Sequence, residues 1–306
     1  MHSSRMYSEK QCARRWTELL APRTGDVGEE LTIELSEYLG VPIKEIQAQL
    51  VDATERFTEE WRRSVPDGAD EGAVTRFYNE SKTELFDLAR WHSNDAIHYR
   101  TLMCADIAAT RPGRDYLDYG SGIGSDALVF ASCGFNVTLA DISNPLLEFA
   151  RWRCRRRGFD VQAIDLKNES LPHGYDAVIC LDVLEHIHRP LRTLNAIHRS
   201  MRPGALLFMH APFGYDEDRP MHVVHEDIVT PRMRTVGFNW RNDLEARFPE
   251  WLWHPKVYES FELSPIDRVG YQIYDVWLKG PVGDGLARLY RRVKPNRRRG
   301  SRAAGI

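Results

Sequence analysis

Hydrophobic and polar positions follow two different periodicities along the chain. Between residues 26 and 110, apolar residues recur every three or four positions, as Ile43, Ile46 and Leu50 do, and this spacing predicts amphipathic helices. From residue 114 onward, short apolar runs alternate with helical stretches, which predicts parallel strands joined by crossover helices. The predicted strands are 115–119, 136–141, 160–165, 175–182 and 205–210, and residues 250–280 are predicted to add a pair of strands at one edge of the sheet.

These patterns divide the chain into four segments. Residues 1–25 are mostly polar and are predicted to form a flexible N-terminus. Residues 26–110 are predicted to form a helical lid or substrate domain, and residues 111–280 an α/β domain. Residues 281–306 are predicted to form a basic, flexible tail.

Charge is distributed unevenly along the 306 residues, although the formal net charge is only −3. Residues 26–95 contain 17 Asp and Glu against 7 Lys and Arg, whereas residues 288–302 contain eight Lys and Arg and no acid. A chain of this length can bury one full core and a smaller second domain. An acidic lid would repel nucleic acid, so only the short basic tail favours such a partner.

The sequence composition also indicates the cellular compartment in which the protein is expected. The five cysteines form no C-x-x-C pair, which favours free thiols in a reducing environment. The N-terminus lacks the apolar segment of a signal peptide, and no stretch reaches 18 uncharged apolar residues. We therefore expect a cytoplasmic protein that is not inserted in a membrane.

One glycine-rich turn stands at the start of the α/β segment. In RDYLDYGSGIGSDAL (114–128), an apolar strand leads through Asp118 into Gly120, Gly122 and Gly124, and then into a helix. Glycines permit a tight turn and a close approach of a ligand to the backbone, and the free N–H groups of the following helix attract electronegative groups. The dinucleotide fingerprint G-x-G-x-x-G would require a glycine at Ser125, so an NAD-dependent oxidoreductase is disfavoured.

The pattern D-x-G-x-G-x-G resembles the first motif of the class I S-adenosylmethionine (SAM) methyltransferases. The later segment LDVLEHIHRP (181–190) resembles the motif after the fourth strand in small-molecule methyltransferases of the ubiquinone and menaquinone biosynthesis type. The resemblance covers about residues 114–215. It implies an α/β fold with a Rossmann-like, seven-stranded, mostly parallel sheet flanked by helices. It also implies methyl transfer from SAM, with S-adenosylhomocysteine (SAH) as the product.

If the turn holds SAM, the other parts of the cofactor predict their own contacts. Asp141 ends the second strand, one crossover beyond Gly120, and a carboxylate there would bind the ribose diol. Ile142 would lie against the adenine, and the loop after the third strand would accept a hydrogen bond from the adenine amino group. The full set of predicted cofactor-binding residues is Tyr119, Gly120, Ser121, Gly122, Gly124, Asp141, Ile142, Asp165, Leu166 and Asp182.

Methyl transfer mainly requires alignment, since the sulfonium already activates the methyl group. A base is needed when the acceptor must lose a proton, and histidine is the residue most easily tuned to neutral pH. The candidates at strand ends and in the loop after the fifth strand are His186, His210 and His225, with His222 in the same loop. For any single one of these histidines, a hydrogen-bonded position in the wall of the site is favoured over the role of base.

A metal site is an open alternative at the same strand ends. Asp182, Glu185 and His186, joined by His222 or His225, resemble the arrangement of the metal-assisted small-RNA 3′-end methyltransferases and of some quinone-ring O-methyltransferases. Carboxylates and imidazoles suit divalent cations. An aspartate stands where the first glutamate is usual, however, so the sequence prediction is a site without metal.

The acceptor is predicted to lie between the lid and the aromatic-rich residues 249–261. Tyr78, Trp91 and His92 are the predicted substrate contacts, although Trp91 could instead belong to the core. The expected function is methylation, with oxygen favoured, of a small molecule in secondary or cofactor metabolism. The alternatives are a metal-assisted or RNA-directed methyltransferase that uses the basic tail, and a SAM-fold module without activity. The acceptor and the oligomeric state, a homodimer included, stay open.

Overall fold

Among the residues that the computed structural model describes, seven α-helices and the short 3₁₀ helix Ala96–Tyr99 precede the first strand. The structure describes residues 8–66, 68–94, 96–214, 216–224, 226–264, 266 and 269. The helices are α1 (Glu9–Leu20), α2 (Val27–Leu39), α3 (Ile43–Val51), α4 (Ala53–Ser64), α5 (Glu71–Glu80), α6 (Glu84–Asn94) and α7 (Arg100–Ala109). Side chains of Asp26 and Asp70 cap the N-termini of α2 and α5 by accepting backbone N–H bonds.

Helix α1 corrects the prediction of a flexible segment over residues 1–25. Ser8 and Gln11 form a reciprocal capping box at its start, and Cys12, Trp16 and Leu20 are buried. These three residues recur every four positions and form a narrow apolar stripe on an otherwise polar helix. The helix was not predicted because most of the other residues in the segment are polar.

The second half of the described chain forms a seven-stranded sheet. Its strands are β1 (Asp115–Tyr119), β2 (Asn136–Asp141), β3 (Gln162–Asp165), β4 (Tyr175–Leu181), β5 (Met201–His210), β6 (Phe238–Trp240) and β7 (Lys256–Ser260). The helices among them are α8 (Ser125–Ser132), α9 (Asn144–Arg156), α10 (Pro190–Ser200) and α11 (Asn242–Glu245). The strand order is β3-β2-β1-β4-β5-β7-β6, with β7 antiparallel to both of its neighbours. This confirms the predicted fold class.

The strand order reverses between β1 and β4, which are parallel neighbours. In open α/β sheets, ligands bind in the crevice at the carboxyl ends of the strands beside such a reversal. Of the strand pair predicted within 250–280, β7 is present, and its partner is the unpredicted three-residue β6. The other predicted strand, over residues 271–280, lies outside the described residues, as does the basic tail.

The N-terminal helices contribute to two separate apolar clusters. Residues of α1, α2 and α7 share the main core with the sheet and with α8 and α9. Phe57, Trp61, Val74 and Phe77 of α4 and α5 instead form a small cluster with Met221. The segment 26–110 therefore contains helices anchored to the sheet and a pair of helices packed on the loop after β5.

A buried ion pair joins α2 to α9. Glu34 accepts hydrogen bonds from Arg153 at 2.8 Å and from Arg157 at 2.7 Å, and Glu34 and Arg153 are 1% and 0% exposed. Burial alone would raise the pKa of Glu34, but the two arginines lower it below its ordinary value. Arg153 and Arg157, at the arginine-rich end of α9, therefore lie on the side of the helix that faces α2.

All five cysteines are free thiols, as predicted. Among the described helices, none combines the length and the apolar character that crossing a bilayer requires.

Candidate functional site

The turn between β1 and α8 accepts only glycine at its first position. Gly120 has a φ of +74°, and a Cβ added there would lie 2.4 Å from Cγ2 of Val183, which follows β4. Gly122 has a φ of +49°, and the Leu88 side chain of α6 would lie 3.3 Å from its Cβ. The N–H groups of Gly120 and Ser121 donate to the carbonyl of Ala140, which fixes the turn to the end of β2.

Asp141 holds this turn from the end of β2. One carboxylate oxygen accepts the N–H of Gly122 and the other accepts the N–H of Ser143, both at 2.9 Å. The side chain is buried, with 7% of the residue exposed. Burial raises the pKa of Asp141, and the backbone N–H groups oppose that rise.

A cavity of about 660 Å³ lies at the carboxyl ends of the strands, and this volume falls within the ~300–1,000 Å³ common for small-molecule sites. It extends from the glycine-rich turn to α4, α5 and α6. The predicted site residues that line it are Tyr78, Trp91, His92, Tyr119, Gly120, Ser121, Gly122, Asp141, Ile142, Leu166, Asp182 and His186.

Three predicted site residues do not line this cavity. Gly124 faces α9, where an added Cβ would lie 2.8 Å from Cβ of Ala150, so its role is helix packing. Asp165 does not line the cavity, and its carboxylate is bonded to Lys167 Nζ at 2.6 Å and to Asn168. His210 lines a second cavity of about 600 Å³ beside Trp253. His225 lies outside the described residues.

Asp182 is the centre of a buried charge network. Its carboxylate pairs with the guanidinium of Arg100 on α7 and lies 2.5 Å from Nδ1 of His210. Burial alone would raise the pKa of Asp182, but Arg100 and His210 lower it well below its ordinary value. The residue has a φ of +55°, a left-handed conformation that aspartate tolerates better than most residues other than glycine. No local sequence pattern indicated Arg100, which begins the mostly apolar helix α7.

Several buried polar atoms near the turn lack partners. Within the described part of the chain, Nε and Nη1 of Arg100 and Oγ of Ser121, two residues that line the cavity, make no hydrogen bond. Buried polar groups are normally paired, so such atoms indicate a ligand with matching polar groups. Donors and acceptors together suit the carboxylate and ammonium of an amino-acid moiety. The residues around the turn therefore fit the polar groups of SAM.

Beyond Asp182, the 3₁₀ turn Leu184–His186 brings two ionisable residues to the cavity. His186 Nδ1 lies 3.1 Å from the carbonyl of Met221 and 3.3 Å from the hydroxyl of Tyr78. Burial and the neighbouring His222 lower the pKa of His186 to about 4, so the ring is neutral at pH 7. Burial and the charge of Asp182 raise the pKa of Glu185 well above its ordinary value.

This strand order, the glycine-rich turn and the acid at the end of β2 together define the class I SAM-dependent methyltransferases, as the sequence resemblance implied. The chain belongs to the methyltransferase-domain family, whose model matches residues 90–261.

Parts of the chain are similar in sequence to several curated proteins. The chain is 30% identical over 146 residues to a ubiquinone biosynthesis O-methyltransferase of Xanthomonas campestris pv. campestris, covering 43% of this chain and 61% of the relative. It is 33% identical over 108 residues to the enzyme of the same name from Dechloromonas aromatica, covering 34% and 47%. The chain thus spans less than two thirds of the length of these relatives.

Among solved structures, the chain is similar to the magnesium protoporphyrin IX methyltransferase of Synechocystis PCC 6803 with bound SAH. The identity is 17% and the TM-score 0.45, with 63% of this chain and 100% of the other covered.

Proposed function

We propose that the protein transfers a methyl group from SAM to a hydroxyl oxygen of a small molecule in secondary or cofactor metabolism. The observation that carries the proposal is the single cavity, which reaches from the glycine-rich turn and Asp141 to the aromatic wall at Tyr78 and His186. Cofactor and acceptor would therefore share one continuous space. The names of the relatives support oxygen as the methylated atom.

In this proposal, the chain contributes binding and alignment. Asp141 would hold the ribose, Ile142 and Leu166 would flank the adenine, and Arg100 would hold the carboxylate of the methionine moiety. When bound, SAM supplies a methyl group that its sulfonium already activates. Alignment of the reacting atoms alone can contribute roughly 7–11 kcal/mol to catalysis. Helices α4 and α5, which carry Tyr78 and pack on Met221, would exclude water as a lid.

The hydroxyl group of the methyl acceptor would need to lose its proton during the reaction. His186 lines the cavity, but its low pKa makes it a weak base near neutral pH. His210 is oriented by Asp182 but lines the second cavity. Neither histidine combines a suitable position with a suitable basicity, so we assign to His186 a contact with the acceptor and not full proton transfer.

We expect His186→Ala to lower kcat at least tenfold while the Kd for SAM stays within about twofold, because His186 lies in the acceptor part of the cavity. His210→Ala should have the smaller effect on kcat. Steady-state kinetics and calorimetry on both variants measure this. Near-normal turnover in both variants would remove both histidines from the reaction.

The function itself is tested by a binding comparison followed by a transfer assay. Calorimetry should show binding of SAM and SAH and no comparable binding of NAD. Radiolabelled SAM should then transfer its methyl group to members of a panel of hydroxylated metabolites. Tight NAD binding without a response to SAM would overturn the proposal, and transfer only to amines would overturn the oxygen assignment.

The RNA-directed alternative depends on residues 288–302, which lie outside the described residues. Binding to RNA that weakens steeply with salt would favour it.

A further inference from the structure

Glu84, the first residue of helix α6, lines the same cavity as the glycine-rich turn. It is 8% exposed, and it lies outside residues 90–261, so the methyltransferase-domain model does not include it. Its Oε2 lies 3.3 Å from the hydroxyl of Ser143, and within the described part of the chain its Oε1 has no hydrogen-bond partner. Buried polar groups are normally paired, so this oxygen indicates a ligand with a hydrogen-bonding group.

The helix that carries Glu84 covers the glycine-rich turn. Leu88, one helical turn after Glu84, lies so close to Gly122 that a Cβ added to the glycine would be 3.3 Å from Cδ1 of Leu88. Trp91 continues the same face of the helix and also lines the cavity. Ala89 of this helix is buried in the main core that the sheet shares. Helix α6 therefore forms a wall of the cofactor part of the cavity.

Ser143 connects Glu84 to Asp141. Its backbone N–H donates to one carboxylate oxygen of Asp141 at 2.9 Å, and its hydroxyl lies 2.8 Å from the carbonyl of Tyr78 as well as 3.3 Å from Glu84. Each carboxylate oxygen of Asp141 already accepts one backbone N–H, whereas Oε1 of Glu84 accepts none from the described residues. The two carboxyl groups therefore face the same part of the cavity, and Glu84 has the larger unused hydrogen-bonding capacity.

The charge state of Glu84 suits a neutral polar ligand. Burial and the charge of Asp141 raise the pKa of Glu84 well above its ordinary value. A neutral carboxyl group both donates and accepts hydrogen bonds, as a hydroxyl group does, whereas a carboxylate only accepts. A neutral Glu84 beside Asp141 therefore offers matching partners for two adjacent hydroxyl groups.

From these contacts we propose that Glu84 is a second ribose-binding residue, which contacts the hydroxyl groups of the SAM ribose together with Asp141. This inference rests on the proposed function and extends its cofactor site into the N-terminal helical segment. A phosphate on either hydroxyl would bring its negative charge against Asp141, so the pair selects an unmodified diol. Helix α6 would then hold the cofactor in addition to lining the acceptor part of the cavity.

The test is a calorimetric comparison of SAH with its 2′,3′-dideoxy analogue, which lacks both ribose hydroxyl groups. Glu84→Met keeps the approximate volume of the side chain and removes both oxygens. It should weaken the binding of SAH about fivefold to tenfold and change the Kd of the analogue less than about twofold, and Glu84→Ala should give the same selective loss. Glu84→Gln, whose amide donates and accepts, should bind SAH within about twofold of the wild type.

Asp87→Ala is the matched control, because Asp87 lies on the same helix and lines the same cavity, but its carboxylate accepts the hydroxyl of Thr54 at 2.7 Å. It should bind SAH like the wild type. If Glu84→Met loses the same affinity for SAH and for the dideoxy analogue, or loses none, the role of Glu84 is overturned and the proposed function stays intact. A wild type that binds neither SAM nor SAH would instead overturn the proposed function.

Discussion

Asp141→Ala is expected to weaken the binding of SAM at least tenfold. Hydrogen bonds to a charged group contribute roughly 1.5–3 kcal/mol, and one such bond to the ribose diol already corresponds to a tenfold change in Kd. The substitution also removes the acceptor of the Gly122 N–H, so the turn itself would lose a support. Calorimetric titration with SAM measures the effect.

Asp165→Ala is the matched control for this prediction. Both aspartates end neighbouring parallel strands, and both were predicted from the sequence to contact the cofactor. Only Asp141 lines the cavity, whereas Asp165 is bonded to Lys167 and Asn168. We therefore expect the Kd for SAM to change less than about twofold in Asp165→Ala. An equal loss of SAM affinity in the two variants would mean that Asp141 has no special role in holding the ribose.

Glu34→Ala should lower the free energy of unfolding by about 3–5 kcal/mol. Removing one partner of a buried ion pair leaves an uncompensated buried charge, and here it would leave both Arg153 and Arg157 without their carboxylate. Unfolding by urea, followed by circular dichroism, measures the change. Glu37→Ala is the control, because Glu37 on the same helix pairs with Arg23 and Arg156 but is 39% exposed, and we expect a loss below about 1 kcal/mol.

The contribution of Glu34 should depend on pH in a defined direction. Its pKa in the folded protein is lower than in the unfolded chain, so its stabilising effect is present above the unfolded value, about 4.3, and is lost as the pH falls toward the folded value. The difference in stability between the wild type and Glu34→Gln should therefore be largest above pH 5 and shrink in stronger acid. A difference that grows in acid would contradict the assigned ion pair.

Local sequence patterns predicted the structural features that lie within a single strand–helix–strand unit. The glycine-rich turn and Asp141 belong to adjacent strands one crossover apart, so their spacing alone brings Asp141 to Gly122. The fold class followed from the same alternation. Apolar residues at helical spacing likewise predicted the helical character of residues 26–110.

Contacts between distant segments were not predictable in this way. Arg100 meets Asp182 across 82 positions, and Arg153 meets Glu34 across 119, so no local pattern marks either pair. The three-residue strand β6 is too short to show a periodicity. Asp141 and Asp165 looked alike in the sequence because each ends a strand, and only the neighbouring Lys167 and Asn168 distinguish them.

The central claim is that the glycine-rich turn and Asp141 hold the adenosyl sulfonium, and a crystal structure of the protein with SAH tests it most directly. Density for the ribose within hydrogen-bond distance of Asp141, with the amino-acid end toward Arg100, is the result we predict. SAH bound elsewhere, or a ribose without contact to Asp141, would contradict the claim.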